Sequence, residues 1–433
     1  RTYVVGHEIM PSAKVAIAGD ENGDGDIDWQ DGAVAFRSIM HNPYKSEEVP
    51  ELVNYRIAMN FGSMAANPFL MNLDGVKRVY LNTEGLGQGV LLKGYGSEGH
   101  DSGHPDYGDI GRRIGGAEDM NRLLVEGKKM GALFGVHVNA SEMYPEAKAF
   151  SNELSQGNYG WNWIDQGIGI NSRYDLATGA REQRFKDLYN QVGNNLDFIY
   201  VDVWGNLTSG WGNEDSWATR MLFREISGLG WRVATEWGPT GEYDSTLQHW
   251  AADLAYGGNQ AKGENSEVMR FLRNHQKDSW VADYPSYGGA AQAPLLGGLN
   301  MTDFEGWQGR TDYKNYINIM FRHNLITKYL QHYQIVDWED GDAVTLGTGE
   351  TWIPEMKITL KNTKDKTDDT EVIATRKSND YSDLANYRSR TITLNGVTIS
   401  EGAPTGGDGS NRGNEKYLIP WNWDCNGKKL AAD

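Results

Sequence analysis

Two acidic residues, Asp202 and Glu236, each stand near the end of a short apolar run, and they are the clearest candidates for paired chemistry in this chain. They lie 34 residues apart (236 − 202 = 34), a spacing that suits one strand–helix–strand repeat. In a parallel β/α barrel, adjacent strand ends converge on one pocket. Two carboxyl groups facing each other across such a pocket are the groups that cleave glycosidic bonds. The spacing therefore predicts glycoside hydrolysis, with Asp202 and Glu236 as the catalytic pair.

The surroundings of each carboxyl leave a structural alternative open. An unpaired polar group buried in a run as apolar as 198–204 costs about 2–7 kcal/mol, so we expect Asp202 to face a polar cavity at a strand end. The aromatic neighbour Trp237 is expected to raise the pKa of Glu236, as a glycosidase acid requires. The alternatives are a loop-capping Asp202 and a Glu236 that is ion-paired with an arginine.

Polar residues follow two further apolar runs. The loop 99–106 carries His100, Asp101, His104 and Asp106, which suit either a metal or the vicinal hydroxyl groups of a sugar. His137 and Asn139 end another run, and their alternate spacing places both side chains on one side of a strand. A solvated loop and a satisfied core histidine are the competing interpretations.

Two tryptophans, Trp161 and Trp163, are predicted to lie in a loop between elements. Residues two positions apart face the same way in an extended segment. Two indoles side by side would form a platform for the apolar face of a sugar ring, although tryptophans are also common in cores.

The segment 20–31 matches a calcium-binding loop, with oxygen ligands at alternate positions and a glycine at the turn, Gly25. The predicted metal ligands are Asp20, Asn22, Asp24, Asp26 and Asp31. Asp31 occupies the twelfth position, where glutamate is usual. We expect a structural Ca²⁺ that fixes the chain near the first strand; the alternative is an acidic solvated turn.

Eight apolar runs and the helical patterns between them predict an α/β fold, a (β/α)8 TIM-like barrel. The runs lie near 14–19, 55–61, 89–93, 132–138, 196–203, 231–236, 252–256 and 298–304. Helices are predicted at 117–130, 214–227 and 312–333 from their 3.6-residue apolar period. The barrel domain is predicted to span 1–335.

After about residue 336 the pattern changes to short strands and turns. Runs at 351–360, 371–376 and 390–394 are typical of strands, and Asn395-Gly396 is a strong hairpin signal. These features predict a smaller all-β, sandwich-like domain at 336–433 that is incomplete at its C-terminus.

Composition limits the possible partners. The chain has 433 residues, is 39% hydrophobic and carries a formal net charge of −18. Its length can bury a sizeable core, while its acidity disfavours nucleic acid and anionic lipid surfaces. No apolar run is long enough to insert in a membrane. One cysteine, Cys425, excludes an internal disulfide, and a chain that starts at Arg1 is expected to be processed or a fragment.

Longer motifs resemble a known family, the endo-α-N-acetylgalactosaminidases of glycoside hydrolase family 101. The resemblance runs almost end to end. Its motifs lie at 197–205, 236–238, 241–246, 248–254, 273–278, 303–309 and 420–424.

The resemblance implies a catalytic barrel followed by a β domain. It implies release of the disaccharide Gal-β1,3-GalNAc from Ser or Thr of mucin-type glycoproteins, with retention at the anomeric carbon and no organic cofactor. Asp202 matches the nucleophile and Glu236 the acid/base. The matching sugar-pocket and lid residues are His100, Asp101, His137, Asn139, Trp161, Trp163 and Gln308.

The resemblance also implies a calcium site at 20–31 and a secreted or bacterial cell-surface location. Family enzymes are much longer than this chain. Two other functions stay open: an exo-acting α-galactosidase or α-N-acetylgalactosaminidase, and a non-catalytic, calcium-stabilised lectin domain.

Overall fold

The computed structural model describes most of the chain in several stretches. The described residues are 10–61, 65–96, 99–162, 165–202, 216–235, 245–248, 271, 278–279, 295–296, 302–305, 313, 317, 320–345, 351–363, 365 and 367–402.

Eight parallel strands form the main sheet. In chain order they are β1 (Leu52–Met59), β2 (Gly87–Lys93), β3 (Ala132–Asn139), β7 (Phe198–Asp202), β8 (Arg232–Thr235), β9 (Leu247–Gln248), β10 (Asp278–Ser279) and β11 (Thr302–Glu305). The order across the sheet is β10-β9-β8-β7-β3-β2-β1-β11. The last strand therefore pairs with the first, as in a barrel. Within the described residues β10 and β11 remain the two ends of this order, so full closure stays a prediction.

Four helices pack on one face of the parallel sheet: α2 (Phe69–Thr83), α3 (Gly116–Lys128), α5 (Ala180–Val192) and α6 (Ser216–Gly228). The structure also describes α1 (Trp29–Phe36), α4 (Ser172–Thr178), α7 (Leu325–Gln331) and α8 (Leu384–Tyr387). Alternate strand residues such as Phe134, Val136 and Val201 pack against α2, α3, α5 and α6. The intervening residues, among them Phe198 and Tyr200, form a separate apolar cluster on the other face. This alternation decides which strand residues can face a pocket.

A small sheet is inserted between β3 and β7. It contains β4 (Glu142–Met143), β5 (Ser155–Asn162) and β6 (Gln166–Ile170), in the order β4-β6-β5. Trp161 therefore lies in a strand, and the prediction that it lies in a loop was wrong. The segment 155–162 forms a strand because β6 supplies antiparallel hydrogen-bonding partners for its backbone.

The second sheet is antiparallel and follows the helical region. It runs in the order β12-β15-β16-β17-β18, and β13 pairs with β14. The bounds are β12 (Gln334–Asp340), β13 (Val344–Thr345), β14 (Thr351–Trp352), β15 (Glu355–Lys361), β16 (Glu371–Arg376), β17 (Arg390–Leu394) and β18 (Val397–Gly402). The hairpin at Asn395-Gly396 is confirmed, with positive φ angles of 46° and 79°. The predicted domain boundary at 335/336 stays a prediction.

One apolar core joins the two sheets. It combines Val53 of β1 and Leu330 of α7 with Ile358 and Val372 of the antiparallel sheet. Gln30 of α1 adds a polar link, because its side-chain amide exchanges two hydrogen bonds with the backbone of Trp338 in β12, at 3.1 and 2.8 Å.

Two predicted elements differ from the structure. The predicted first strand at 14–19 was wrong: the segment forms no strand, and Val15 and Ile17 are 85% and 93% exposed because no described element packs on them. The long helix predicted at 312–333 is interrupted by a π-helical turn, Met320–Asn324, before α7. The predicted strand at 252–256 lies outside the described residues. No helix in the described part of the chain is both long and apolar enough to span a bilayer.

Candidate active site

The carboxyl ends of β3 and β7 bring the predicted pocket residues together. His137 and Asn139 of β3 stand opposite Tyr200 and Asp202 of β7 in the parallel register. The four residues alternate with valines and an isoleucine that pack on the helices, so they share the opposite face of the sheet. Asp202 is the most accessible of the cluster, with a side chain 15% exposed. A carboxylate at this edge of a parallel sheet occupies the position where such folds carry their chemistry.

His137 contacts Asp202 directly. Its Nε2 atom lies 3.3 Å from Oδ1 of Asp202. The imidazole is fully buried and stacks on the ring of Tyr200, with centroids 5.4 Å apart. The His100 ring meets it edge to face at 4.7 Å, and His104 lies at 5.9 Å. The loop 99–106 therefore folds back over the strand ends.

The three histidines stay neutral at pH 7. Burial lowers the pKa of His100 and of His137 well below 6.5, and the positive charge of Lys93 lowers both further. Burial, followed by the charge of His137, lowers the pKa of His104 to about 3. A neutral imidazole can donate one hydrogen bond and accept another, so this cluster is suited to hydroxyl groups as well as to a metal.

Asp101 completes the group from the loop. It is buried and adopts a φ of 55°, a left-handed conformation that aspartate tolerates better than most residues. Its Oδ1 lies 3.3 Å from Nδ1 of His100. Ligand atoms of His100, Asp101 and His137 all lie within 4.8 Å of one another, which is close enough to coordinate one metal ion.

Asp106, the other acidic residue of this loop, has a different role. Its carboxylate accepts backbone N–H groups of Lys148 at 2.6 Å and Ala149 at 3.1 Å. These bonds fasten the loop 99–106 to the segment after β4, which makes Asp106 a structural residue.

Two pocket residues were missed from the sequence, Glu142 and Tyr144. Glu142 is fully buried directly after β3, and its carboxyl contacts Asn139 and the backbone of Trp161. Burial raises the pKa of Tyr144, and the negative charges of Asp101, Glu142 and Asp202 raise it further. Three carboxyl groups therefore surround one buried tyrosine. An acidic residue three positions after the strand end was the available signal.

Trp161 is partly exposed to solvent in β5, whose exposed side chains beside the predicted pocket are called the rim. It is 48% exposed, and Tyr159 in the same strand is 77% exposed. Three other predicted residues, Glu236, Trp163 and Gln308, lie outside the described residues. The strand before Glu236 is described: Thr235 of β8 pairs with Val201, which directly precedes Asp202.

The acidic loop 20–31 precedes α1. The carboxylate of Asp20 accepts N–H groups of Gly23 at 2.6 Å and Gly25 at 3.1 Å, which curls the loop around it. Backbone hydrogen bonds from Asp28 and Glu21 lower the pKa of Asp31, whose buried carboxylate also forms the capping box of α1. The predicted donors are all oxygens, which is the set that Ca²⁺ prefers, so the residues fit the ion.

The loop also lies near β12. Burial and then the charges of Glu339 and, more weakly, Asp24 raise the pKa of Asp337. The expected position beside a first strand at 14–19 was therefore wrong, because that strand does not form and α1 packs on the antiparallel sheet instead.

Comparison with known sequences gives two adjoining matches. Residues 30–317 match the family described as endo-α-N-acetylgalactosaminidase, and residues 323–433 match the β-sandwich domain of glycosyl hydrolase 101. A protein of Renibacterium salmoninarum, whose name carries a provisional endo-α-N-acetylgalactosaminidase designation, is 40% identical over 334 residues. That match covers 77% of this chain and 21% of the relative, so the chain spans about a fifth of the relative's length.

Solved structures share the fold. The α-N-acetylgalactosaminidase NagBb of Bifidobacterium bifidum, free of ligand, matches with a TM-score of 0.54 and 14% identity over 80% of this chain and 62% of its own. The cyclic α-maltosyl-(1→6)-maltose hydrolase of Arthrobacter globiformis matches with a TM-score of 0.50 and 11% identity, over 82% and 97%.

Proposed function

Because the chain belongs to the endo-α-N-acetylgalactosaminidase family of glycoside hydrolases, we propose that it is a retaining endoglycosidase that releases Gal-β1,3-GalNAc from Ser or Thr of mucin-type glycoproteins. The observation that carries the proposal is the position of Asp202. Its carboxylate ends β7, is partly open to solvent and is flanked by a neutral, buried histidine.

In the first step, Asp202 attacks the anomeric carbon of GalNAc and forms a glycosyl–enzyme ester. The bond to the Ser or Thr oxygen breaks, and Glu236 protonates that oxygen as it leaves. In the second step, Glu236 takes a proton from water, which displaces Asp202 from the sugar. Retention requires about 5–5.5 Å between the two carboxyl groups, and the (β/α)8 barrel would provide it by placing them on adjacent strands.

His137 orients the nucleophile in this scheme. The Nε2 atom lies 3.3 Å from Oδ1 of Asp202, and with its proton on Nε2 the imidazole would donate a hydrogen bond to this oxygen when the substrate is bound. Because it stays neutral, it directs the carboxylate without adding a positive charge that would weaken the nucleophile. His100, Asp101 and Asn139 would bind sugar hydroxyls.

Trp161, Trp163 and Gln308 would cover the disaccharide. The 48% exposure of the Trp161 side chain at the rim supports a stacking contact for it. A structural Ca²⁺ at 20–31 and a secreted or cell-surface location belong to the same proposal, since the glycoproteins concerned are extracellular.

The test is incubation with a glycopeptide carrying Gal-β1,3-GalNAc, beside a matched peptide carrying GalNAc alone. We expect the intact disaccharide as the first product by mass, its α-anomer first by NMR, and slower cleavage of the single sugar. Release of a single sugar first would identify an exo-acting enzyme. Binding without any product would identify a lectin.

A further inference from the structure

Glu142 occupies a position between the pocket and the rim that the proposed mechanism does not use. One carboxyl oxygen, Oε1, accepts the backbone N–H of Trp161 at 2.8 Å. The other, Oε2, lies 3.3 Å from the side-chain nitrogen of Asn139 and 3.4 Å from the hydroxyl of Tyr144. One buried side chain therefore links the end of β3 to the strand that carries the rim tryptophan.

Two glycines show how closely this carboxyl is held. A Cβ built on Gly160 would lie 2.0 Å from Oε1, and a Cβ on Gly167 would lie 2.8 Å from Oε2. Neither glycine has a positive φ, so other residues could adopt the same backbone conformation at both positions. The carboxyl itself occupies the space that a side chain would fill in β5 and β6.

The same carboxyl lies within the electrostatic field of the proposed nucleophile. Burial raises the pKa of Glu142, and the negative charge of Asp202 raises it further, against the lowering effect of the Trp161 hydrogen bond. The hydrogen-bonding partners described above are uncharged, so they orient the group without neutralising it.

We propose that Glu142 is a positioning residue for substrate binding, which holds Trp161 at a fixed distance from the pocket floor at Asn139. This inference rests on the proposed function, because Trp161 matters only if its indole contacts the glycan. The hydrogen bond from the Trp161 backbone N–H to the Glu142 carboxyl is the contact that sets this distance. Loss of the bond is expected to weaken glycan binding more than the chemical step.

Three substitutions separate position from charge. Glu142→Ala removes all three contacts of the carboxyl, and we expect KM for the glycopeptide carrying Gal-β1,3-GalNAc (the core-1 glycopeptide) to rise about tenfold while kcat falls less. Glu142→Asp keeps the charge but withdraws the carboxylate by one methylene, so KM should rise similarly. Glu142→Gln keeps an oxygen acceptor for the Trp161 N–H and should stay within about threefold of the unsubstituted chain. Glu153→Ala, exposed in the same insertion, is the control and should change neither constant.

Coupling to Trp161 distinguishes positioning from a general structural role. Trp161→Ala should raise KM, and adding Glu142→Ala to it should cause little further change, because the second residue acts through the first. Gly160→Ala should mimic Glu142→Ala by displacing the carboxyl, and combining the two should be no worse than Glu142→Ala alone.

Binding to the Asp202→Asn variant, measured by calorimetry, provides a second readout that does not depend on turnover. Additive effects of the Trp161 and Glu142 substitutions, or a Glu142→Gln variant as impaired as Glu142→Ala with Glu142→Asp intact, would overturn the inference. Absence of both turnover and glycan binding in the unsubstituted chain would instead contradict the proposed function.

Discussion

The Nε2 atom of His137 lies 3.3 Å from Oδ1 of Asp202, and the two residues belong to neighbouring parallel strands. The histidine is fully buried, and burial keeps it neutral. The contact therefore places a fixed imidazole nitrogen beside the carboxylate proposed as nucleophile.

Replacing this histidine should slow the chemical step. His137→Phe keeps a ring against Tyr200 but removes the nitrogen that faces Asp202. The hydrogen bond proposed to form with the Asp202 carboxylate in the substrate complex would contribute about 1.5–3 kcal/mol, so we expect kcat to fall by about 10- to 100-fold. Steady-state kinetics on the core-1 glycopeptide measure this fall, and circular dichroism checks the fold. An unchanged kcat would exclude a role for the contact.

The buried histidines should make the chain less stable in mild acid. Folding lowers the pKa values of His100, His104 and His137, so the unfolded chain binds more protons than the folded chain below pH 6.5. Their contribution is complete above pH 6.5 and declines as the pH falls towards the folded pKa values, about 3 for His104. Each histidine contributes a slope of about 1.4 kcal/mol per pH unit.

His104→Gln isolates one of these contributions. Between pH 7.5 and 5.5, denaturant unfolding of this variant should show a smaller loss of stability, by about 1.4 kcal/mol. His41→Gln, a substitution of an exposed histidine, should retain the full loss. An equal loss in the His104 variant and the unsubstituted chain would contradict the assignment of a neutral imidazole.

Calcium should stabilise the chain through the loop 20–31. Ca²⁺ at about 100 times its Kd would add about 2.7 kcal/mol, because it offsets the repulsion among the loop carboxylates. We expect a chelator to lower Tm, and Asp24→Asn to abolish most of this response. Asp74→Asn, on an exposed helix surface, is the matched control. A Tm that does not respond to calcium would leave the loop as a solvated turn.

Gln30 should contribute to the junction between the two sheets. It is buried and forms both of its amide hydrogen bonds with the backbone of Trp338. Gln30→Ala leaves two buried backbone groups without partners, at a cost of about 1–3 kcal/mol for each unsatisfied group. Thermal unfolding should show a clear decrease in Tm. Gln183→Ala, on the exposed side of α5, should have little effect, and equal Tm values for the two variants would contradict this role.

The strands with long apolar runs could be predicted from the sequence. Runs at 132–138 and 196–203 correspond to β3 and β7, since both faces of these strands are buried. The run at 14–19 is also apolar but forms no strand. An apolar run shows that a segment can be buried, but it does not show whether another element of the fold packs on it. The two-residue strands β9 and β10 are too short for any period to show.

The candidate site was predictable where it follows strand ends. His137, Asn139 and Asp202 came together as expected, because residues at equivalent positions of paired parallel strands are neighbours. The place of Glu142 after a strand end was a signal that could have been used, but its contact with β5 could not be predicted, since the sequence of β5 lacks apolar alternation. The Glu142 carboxyl occupies the space beside Gly160 that a side chain would fill, and a contact of this kind depends on the tertiary structure.

The turnover number of Asp202→Asn on the core-1 glycopeptide, measured beside the unsubstituted chain, tests the proposed nucleophile most directly. Loss of the nucleophile should lower kcat by on the order of 10⁴-fold or more, with Tm and glycan binding retained. A kcat within tenfold of the unsubstituted chain would contradict the assignment of Asp202 as nucleophile, and with it the proposed mechanism.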